Sequence, residues 1–176
     1  VKTKEHEEHA RSVRNLCFQP GRRFFHQELG YNYRMTNVQA AMGVGQLERL
    51  NETIARKRDI AHAYDAAFSD IPAIQLPSEM PWARNVYWVY GIVLGEERKT
   101  DAAQMVSKLR TRGIETRPFF LGMHEQPVFQ QMGLFRDEHY PVAEHLARQG
   151  FYLPNGLTIS NDQIAEVVAA VRECLA

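Results

Sequence analysis

Apolar residues recur along this chain at helical spacing, then as short aromatic and β-branched runs, then at helical spacing again. Ala10, Val13, Leu16 and Cys17 form a first stripe, which predicts a helix over residues 4–17 with Thr3 as its cap. Pro20-Gly21 ends it. Arg22, Arg23, Phe24, Phe25 and His26 follow without a clean period and read as a loop or arm. Residues 36–69 carry the strongest helical pattern, with Leu47, Leu50, Ile54, Ala61, Tyr64 and Phe68 recurring at three, four or seven positions. Thr36 and Gln39 supply a capping box, each side chain satisfying an orphan backbone donor of the first turn. So long a helix predicts a kink or a packing partner, and Gly43 and Gly45 would admit another backbone.

Pro72, Pro77 and Pro81 mark an irregular connection. Residues 86–94 are aromatic and β-branched and predict a strand. Thr100 or Asp101 caps a helix running to Arg112, and Gly113 closes it. Residues 114–117 read as a second strand, stopped by Pro118. Residues 119–137 look irregular, with one helical turn near Val128. Pro141 suits the first turn of a helix running to Gln149, and residues 151–153 form a short extended piece. Ser160 and Gln163 make another capping box, ahead of a final helix faced by Ile164, Val167, Val168, Val171 and Leu175. The order predicts an α+β fold: a small sheet packed on helices, preceded by a long helix and an N-terminal arm. The corresponding organisation is an arm over 1–35, a connecting helix over 36–70 and an α+β domain over 71–176.

Composition narrows the partners. Of the 176 residues 44% are apolar, enough for a core, and 21 basic residues balance 21 acidic ones. A dedicated nucleic-acid binder would show a basic excess, and nothing calls for an anionic membrane. The two cysteines, Cys17 and Cys174, are too few for a disulfide framework and too far apart for a metal site, which suggests thiols in a reducing compartment and a cytoplasmic protein. The chain starts at Val1 rather than Met, as expected of a processed, excised or partial chain.

Self-contained chemistry is sparse. No phosphate loop followed by Lys-Ser or Lys-Thr, no Gly-x-Ser-x-Gly and no His-Glu-x-x-His occurs. His6 and His9 sit three apart beside Glu5, Glu7 and Glu8 and read as a solvated face rather than a metal site. Two segments stand out. In residues 30–37, Gly-Tyr-Asn-Tyr-Arg-Met-Thr-Asn, Asn32 offers an amide, Arg34 a planar cation, and Tyr31 and Tyr33 aromatic faces. They suit an anionic phosphate beside an aromatic ring; they equally suit a turn asparagine between core tyrosines. In residues 113–124, Arg117 ends a strand and leads into a loop with Phe119, Phe120 and His124. Such loops often carry binding groups, but the residues alone favour an Arg paired with acid and phenylalanines in the core.

These two segments carry a resemblance. Gly-Tyr-Asn-Tyr-Arg-Met-Thr-Asn-Val-Gln-Ala-Ala over 30–41, with Gln-Leu-Glu-Arg-Leu over 46–50, resembles the sugar-nucleotide aminotransferases of the DegT/StrS type. Ile-Glu-Thr-Arg-Pro-Phe-Phe over 114–120, with Met123-His124 and Gln126-Pro127, resembles the perosamine-synthase branch. The resemblance implies the C-terminal small domain of a fold-type-I, pyridoxal-phosphate-dependent transferase that works as a homodimer. It implies amino transfer from glutamate to a nucleotide-linked 4-keto-6-deoxy sugar, in the making of surface polysaccharide or a glycosylated metabolite. It implies that Asn32, helped by Tyr31 and Arg34, contacts the cofactor phosphate of the neighbouring subunit. Arg117, Phe120 and His124 would shape the nucleotide-sugar pocket. The family's Schiff-base lysine belongs to a segment ahead of the position of Val1. None of Lys2, Lys4, Lys57, Lys99 and Lys108 sits in a matching context; each reads as a solvated lysine, so no catalytic residue is assigned and the chain alone is expected to be inactive. The alternative is a non-catalytic dimerisation or nucleotide-sugar-binding module derived from the same family.

Overall fold

The computed structural model describes residues 1–19, 21–95 and 100–175, so Pro20 and Lys99 lie outside the described residues. The chain divides into two compact units, Val1–Leu50 and Asn51–Ala176. The division falls within the predicted 36–70 segment. No helix among the described residues is long and apolar enough to cross a membrane.

In the first unit α1 spans Lys4–Arg14, with the Thr3 hydroxyl accepting from the His6 N–H at 3.2 Å. It stops short of the predicted Cys17 because Leu16 and Cys17 take positive φ, 62° and 49°, which a right-handed helix cannot continue through. That reversal lets residues 29–33 run beside the helix end: Tyr31 N–H donates to Val13 O (2.7 Å) and Tyr33 N–H to Arg14 O (3.1 Å). The expected loop over 22–26 is a strand. β1 (Phe18–Gln19) and β2 (Arg22–His26) pair antiparallel. The sequence hid it because Phe24 and Phe25 are both exposed; a hairpin with no buried face needs no alternation.

The predicted long helix is two. α2 (Asn37–Glu48) opens on the full Thr36–Gln39 capping box and ends at Arg49, whose φ of −103° and ψ of 9° leave the helical region; α3 (Leu50–Phe68) follows. The apolar stripe divides with it. Ile60, Ala61, Tyr64 and Phe68 are buried, whereas Leu47 and Leu50 are exposed, and α2 buries none of its residues.

The second unit holds a four-stranded sheet. β3 (Ile74–Gln75), β4 (Tyr90–Leu94), β5 (Arg117–Pro118) and β6 (Gly150–Leu153) lie in the order β3-β4-β6-β5, each neighbour antiparallel. α4 (Ala102–Thr111), α5 (Pro127–Gln131), α6 (Pro141–Gln149) and α7 (Asn161–Leu175) complete it. Tyr90, Ile92, Leu94, Phe151 and Leu153 alternate inward onto Ile60, Tyr64 and Phe68 of α3, Met105 and Leu109 of α4, and Ile164, Val167 and Val171 of α7. The buried tyrosines keep their hydroxyls satisfied: Tyr64 donates to Pro154 O at 2.9 Å and Tyr90 to Asp65 Oδ1 at 2.7 Å. Burial pushes both phenols well above their ordinary pKa.

Asp101 caps α4, and the Ser160–Gln163 box caps α7. Gly113, at φ 78°, ends the turn after α4, where Ile114 N–H returns to Leu109 O. Three strand expectations shift. The strand predicted from residue 86 begins at Tyr90, because Tyr87 is buried at φ 46°. The predicted 114–117 strand is Arg117–Pro118, so Pro118 lies within it; at the sheet edge its missing N–H costs no ladder bond. β3 hides in the proline-rich connection, too short to show a period.

Arg58 ties that connection to α3. Its guanidinium meets Glu79 through two nitrogens, at 2.8 and 3.1 Å, and donates to Asn85 O at 2.6 Å. Glu79 also accepts the Asn85 N–H. The Arg58 hydrogen bond, then that N–H, hold the Glu79 carboxyl below its ordinary value of 4.5.

The sheet's other face carries the loop after β5. Phe119 N–H donates to Gly150 O at 3.0 Å, and its ring stacks on Tyr152 with centroids 4.5 Å apart. A Cβ on Gly91 would lie 2.6 Å from that ring and one on Gly150 2.3 Å, so the ring occupies the space that side chains on these strands would fill.

Two expectations follow from this packing. Gly91→Ala or Gly150→Ala destabilises the chain by about 1–3 kcal/mol through overpacking against Phe119, whereas Gly156→Ala, whose Cβ meets nothing within 4 Å, changes little; urea midpoints compare them. Glu79 is more acidic folded than unfolded, so the unfolded chain binds more protons in acid. Its stabilisation is present at neutral pH and lost as pH falls below 4.5 through the depressed folded value. Glu79→Gln should lower stability at pH 7 and flatten its acid dependence in that window, measured by urea unfolding from pH 7 to 3.

Candidate functional site

Each unit places one of the candidate segments. In the first, Gly30 passes so close to the chain before it that a Cβ would stand 2.3 Å from the Leu16 carbonyl carbon; glycine permits that approach. The segment then runs extended, with Asn32 bridged to Asn15. Alternation puts Tyr31 and Tyr33 on one side, where their rings stack at 5.1 Å and 9°. They are 49% and 71% exposed, so they are not core residues. Asn32 and Arg34 alternate to the other side. Arg34 donates through one terminal nitrogen to Asn15 Oδ1 at 3.3 Å and lines a hollow of about 390 Å³ with Asn15, Phe18 and Gln19. The Asn32 carboxamide is exposed and makes no hydrogen bond among the described residues. An amide and a guanidinium on the same side of the segment are groups that can meet an anionic phosphate.

In the second unit an open hollow of about 590 Å³ lies where β5 and the chain following β6 approach the start of α7. Trp88, Arg117, Tyr152, Asn155 and Glu166 are among the residues that line it. Arg117 is exposed at the edge strand, and Trp88 is 71% exposed. Thr116 Oγ1 and Asn155 Oδ1 are buried without a hydrogen-bond partner in this wall.

The structure separates the three residues expected to shape a substrate pocket. Arg117 lines the hollow. Phe120 is 75% exposed, its ring 6.2 Å from that of Tyr152. His124 is only 7% exposed, in the single turn Met123–Glu125, with its Nε2 3.2 Å from Glu144 Oε1. The Tyr140 N–H bond, and next the His124 contact, hold Glu144 below its ordinary value, so it is a carboxylate and His124 Nε2 donates to it.

The basic run of α3 supplies what periodicity did not show. Arg56 donates to Leu157 O and Ile159 O, and Lys57 to Trp88 O and Asn155 O. These two side chains clamp both strand ends that wall the hollow. Lys57 was expected to be solvated; instead it is committed to two carbonyls, and desolvation lowers its pKa. Nothing in the spacing could reveal this, because the partners lie 31 to 103 residues away.

Comparison with known proteins gives the arrangement a family. Residues 1–172 match the DegT/DnrJ/EryC1/StrS aminotransferase family. Two proteins named GDP-perosamine synthase are similar: that of Vibrio cholerae is 32% identical over 160 residues, 91% of this chain and 43% of that protein, and that of Escherichia coli O157:H7 is 34% identical over 86% of this chain and 40% of that protein. The chain thus spans about two fifths of the curated relatives it matches. Among solved structures, S. venezuelae DesV aligns with a TM-score of 0.83 at 28% identity, over 98% of this chain and 45% of that one. The aminotransferase TlmJ from Streptoalloteichus hindustanus has the same fold, with a TM-score of 0.85 at 24% identity over 99% of this chain and 46% of that one. The α+β arrangement is therefore that of the corresponding part of pyridoxal-phosphate-dependent sugar aminotransferases, and the chain belongs to the DegT/DnrJ/EryC1/StrS aminotransferase family.

Proposed function

We propose that this chain forms the C-terminal part of a homodimeric, pyridoxal-phosphate-dependent aminotransferase that moves an amino group from glutamate to a nucleotide-linked 4-keto-6-deoxy sugar. The observation that carries the reading is Arg117, an exposed cation on the wall of a hollow that also bears Trp88, Tyr152 and Asn155. A guanidinium matches the two-pronged geometry of a diphosphate, and rings beside it suit the base or sugar. Phe120 extends this aromatic surface through Tyr152. His124 shapes the pocket from behind, through the position of its loop.

Asn32 would contact the cofactor phosphate of the neighbouring subunit, helped by Arg34 on the same side of the extended segment and by Tyr31 from its opposite side. The bound cofactor supplies an electron sink for amino transfer. The uncovered apolar side chains of α2, among them Val38, Met42 and Leu47, suit a dimer interface. The free buried thiols Cys17 and Cys174 suit the reducing cytoplasm.

Among the described residues no lysine is placed to hold the cofactor. Lys57 is committed to two carbonyls, and Lys2, Lys4 and Lys108 are exposed. Amino transfer then rests on a lysine from outside these 176 residues, and a binding module without activity is the competing reading for the isolated chain.

In the enzyme that carries this chain, Arg117→Ala weakens binding of a GDP-linked hexose by about 10- to 100-fold, the loss of a charge-assisted hydrogen bond. Calorimetric titration reads it, and unchanged affinity rules out Arg117 as the diphosphate contact. Borohydride reduction of the isolated chain with pyridoxal phosphate, followed by peptide mass spectrometry, should mark no lysine stoichiometrically. Specific labelling of one lysine would show that the chain holds the cofactor alone.

A further inference from the structure

The loop over residues 119–124 is packed at both ends and exposed between them, where Gln126 Nε2 donates to Leu121 O and the Phe120 ring lies 6.2 Å from that of Tyr152. At its start the Phe119 ring is wedged over Gly91 and Gly150. At its end the His124 ring is buried, its Nε2 on Glu144 and its edge against the Tyr140 ring, with centroids 4.9 Å apart. Between these anchors Phe120 and Leu121 face solvent. Gly122 makes the second anchor possible, since a Cβ there would stand 2.5 Å from His124 Cε1.

Glu144 is the hub of this anchor. The same Oε1 that meets His124 accepts the Tyr140 N–H at 2.9 Å, so one carboxylate caps the start of α6 and holds the loop. His139 Nδ1 lies 3.8 Å from that oxygen, and Glu125 approaches His124 Nε2 at 4.0 Å. One turn further along α6, Arg148 pairs with Glu125 at 2.5 Å and donates to Glu144 O. Gln130 donates to His124 O at 3.0 Å from the helix on the other side. Loop and α6 are thus joined by the His124–Glu144 hydrogen bond and, a helical turn further on, by the Arg148–Glu125 ion pair.

We infer that Glu144, acting through His124, is a positioning residue that fixes the loop presenting Phe120 next to Tyr152, and that His124 serves this anchor rather than touching substrate. The inference rests on the proposed nucleotide-sugar reading for its functional consequence, but the anchor stands on its own geometry. The His124 ring is buried, its Nε2 is committed as a donor to the Glu144 carboxylate, and its Nδ1 faces Gly122, where a Cβ would stand 2.7 Å away, so the ring turns its polar atoms to the anchor rather than to the open hollow. Removing the carboxylate would leave that donor unpaired, and releasing the turn is the cheapest way to rehydrate it.

The experiment is amide hydrogen exchange on the chain and its variants, resolved at Glu125 and Gln126, whose N–H groups close the turn on Gly122 O and Met123 O. Glu144→Ala is expected to speed exchange at these two amides by about tenfold or more, with the β4–β6 ladder unchanged. Because that variant also loses the α6 cap, His124→Leu and His124→Gln form the decisive pair. His124→Leu should speed exchange as Glu144→Ala does, and His124→Gln, which restores a donor near the Nε2 position, should return it towards the original rate. Unchanged exchange in Glu144→Ala and His124→Leu, or an equal rise throughout β4 and β6, overturns the anchor. In the enzyme carrying the chain, Glu144→Ala should raise KM for the nucleotide sugar about tenfold with kcat within twofold. Faster local exchange with unchanged KM overturns the positioning role, and the Arg117→Ala titration then tells whether the pocket reading falls with it.

Discussion

The pairing of β4 with β6 is the constraint on which the second unit depends. Its register sets Tyr90 against Leu153 and Ile92 against Phe151 on one face, and Gly91 against Tyr152 and Val93 against Gly150 on the other. The first face buries the large residues that α3, α4 and α7 cover. The second is hollowed by two glycines, and Phe119 fills the space. A slip of one residue would exchange the faces, turning glycines into the core and tyrosines towards the loop. The same ladder therefore fixes both the core and the height at which the loop over 119–124 leaves the sheet.

Around that ladder, polar groups hold irregular chain in place. Arg56, Lys57 and Arg58 stand in sequence on α3 and reach three stretches: Arg56 the chain after β6, Lys57 that chain and the entry to β4, and Arg58 the proline-rich connection. Loops carry backbone carbonyls with no ladder to satisfy them, and cations on a rigid helix are an economical way to bind several at once. The hollow beside Arg117 owes its shape to these clamps as much as to the sheet. Glu144 does the same work for the loop over 119–124, from a different helix.

The first unit is organised differently. Backbone bonds between residues 29–33 and the end of α1 shape its arm, and few side chains are buried; Cys17 is the exception. Tyr31, Tyr33, Val38, Met42 and Leu47 remain exposed. The dimer proposed above would cover this apolar surface.

The sequence by itself determined the capped helices, the α+β class and the segments that carry the family resemblance. Caps, glycine stops and apolar stripes act over a few residues, so Thr36–Gln39, Asp101 and Ser160–Gln163 could be read where they stand. It also singled out Asn32, Arg34 and Arg117, which the structure leaves exposed. Tertiary structure alone decided the rest. It divided the long helical stripe at Arg49, paired two strands too short to show a period, and turned Lys57 from a solvated residue into a clamp. It also buried His124 in a contact with Glu144. Each of these depends on partners tens of residues away, and a local pattern holds no information about which distant backbone a side chain will meet.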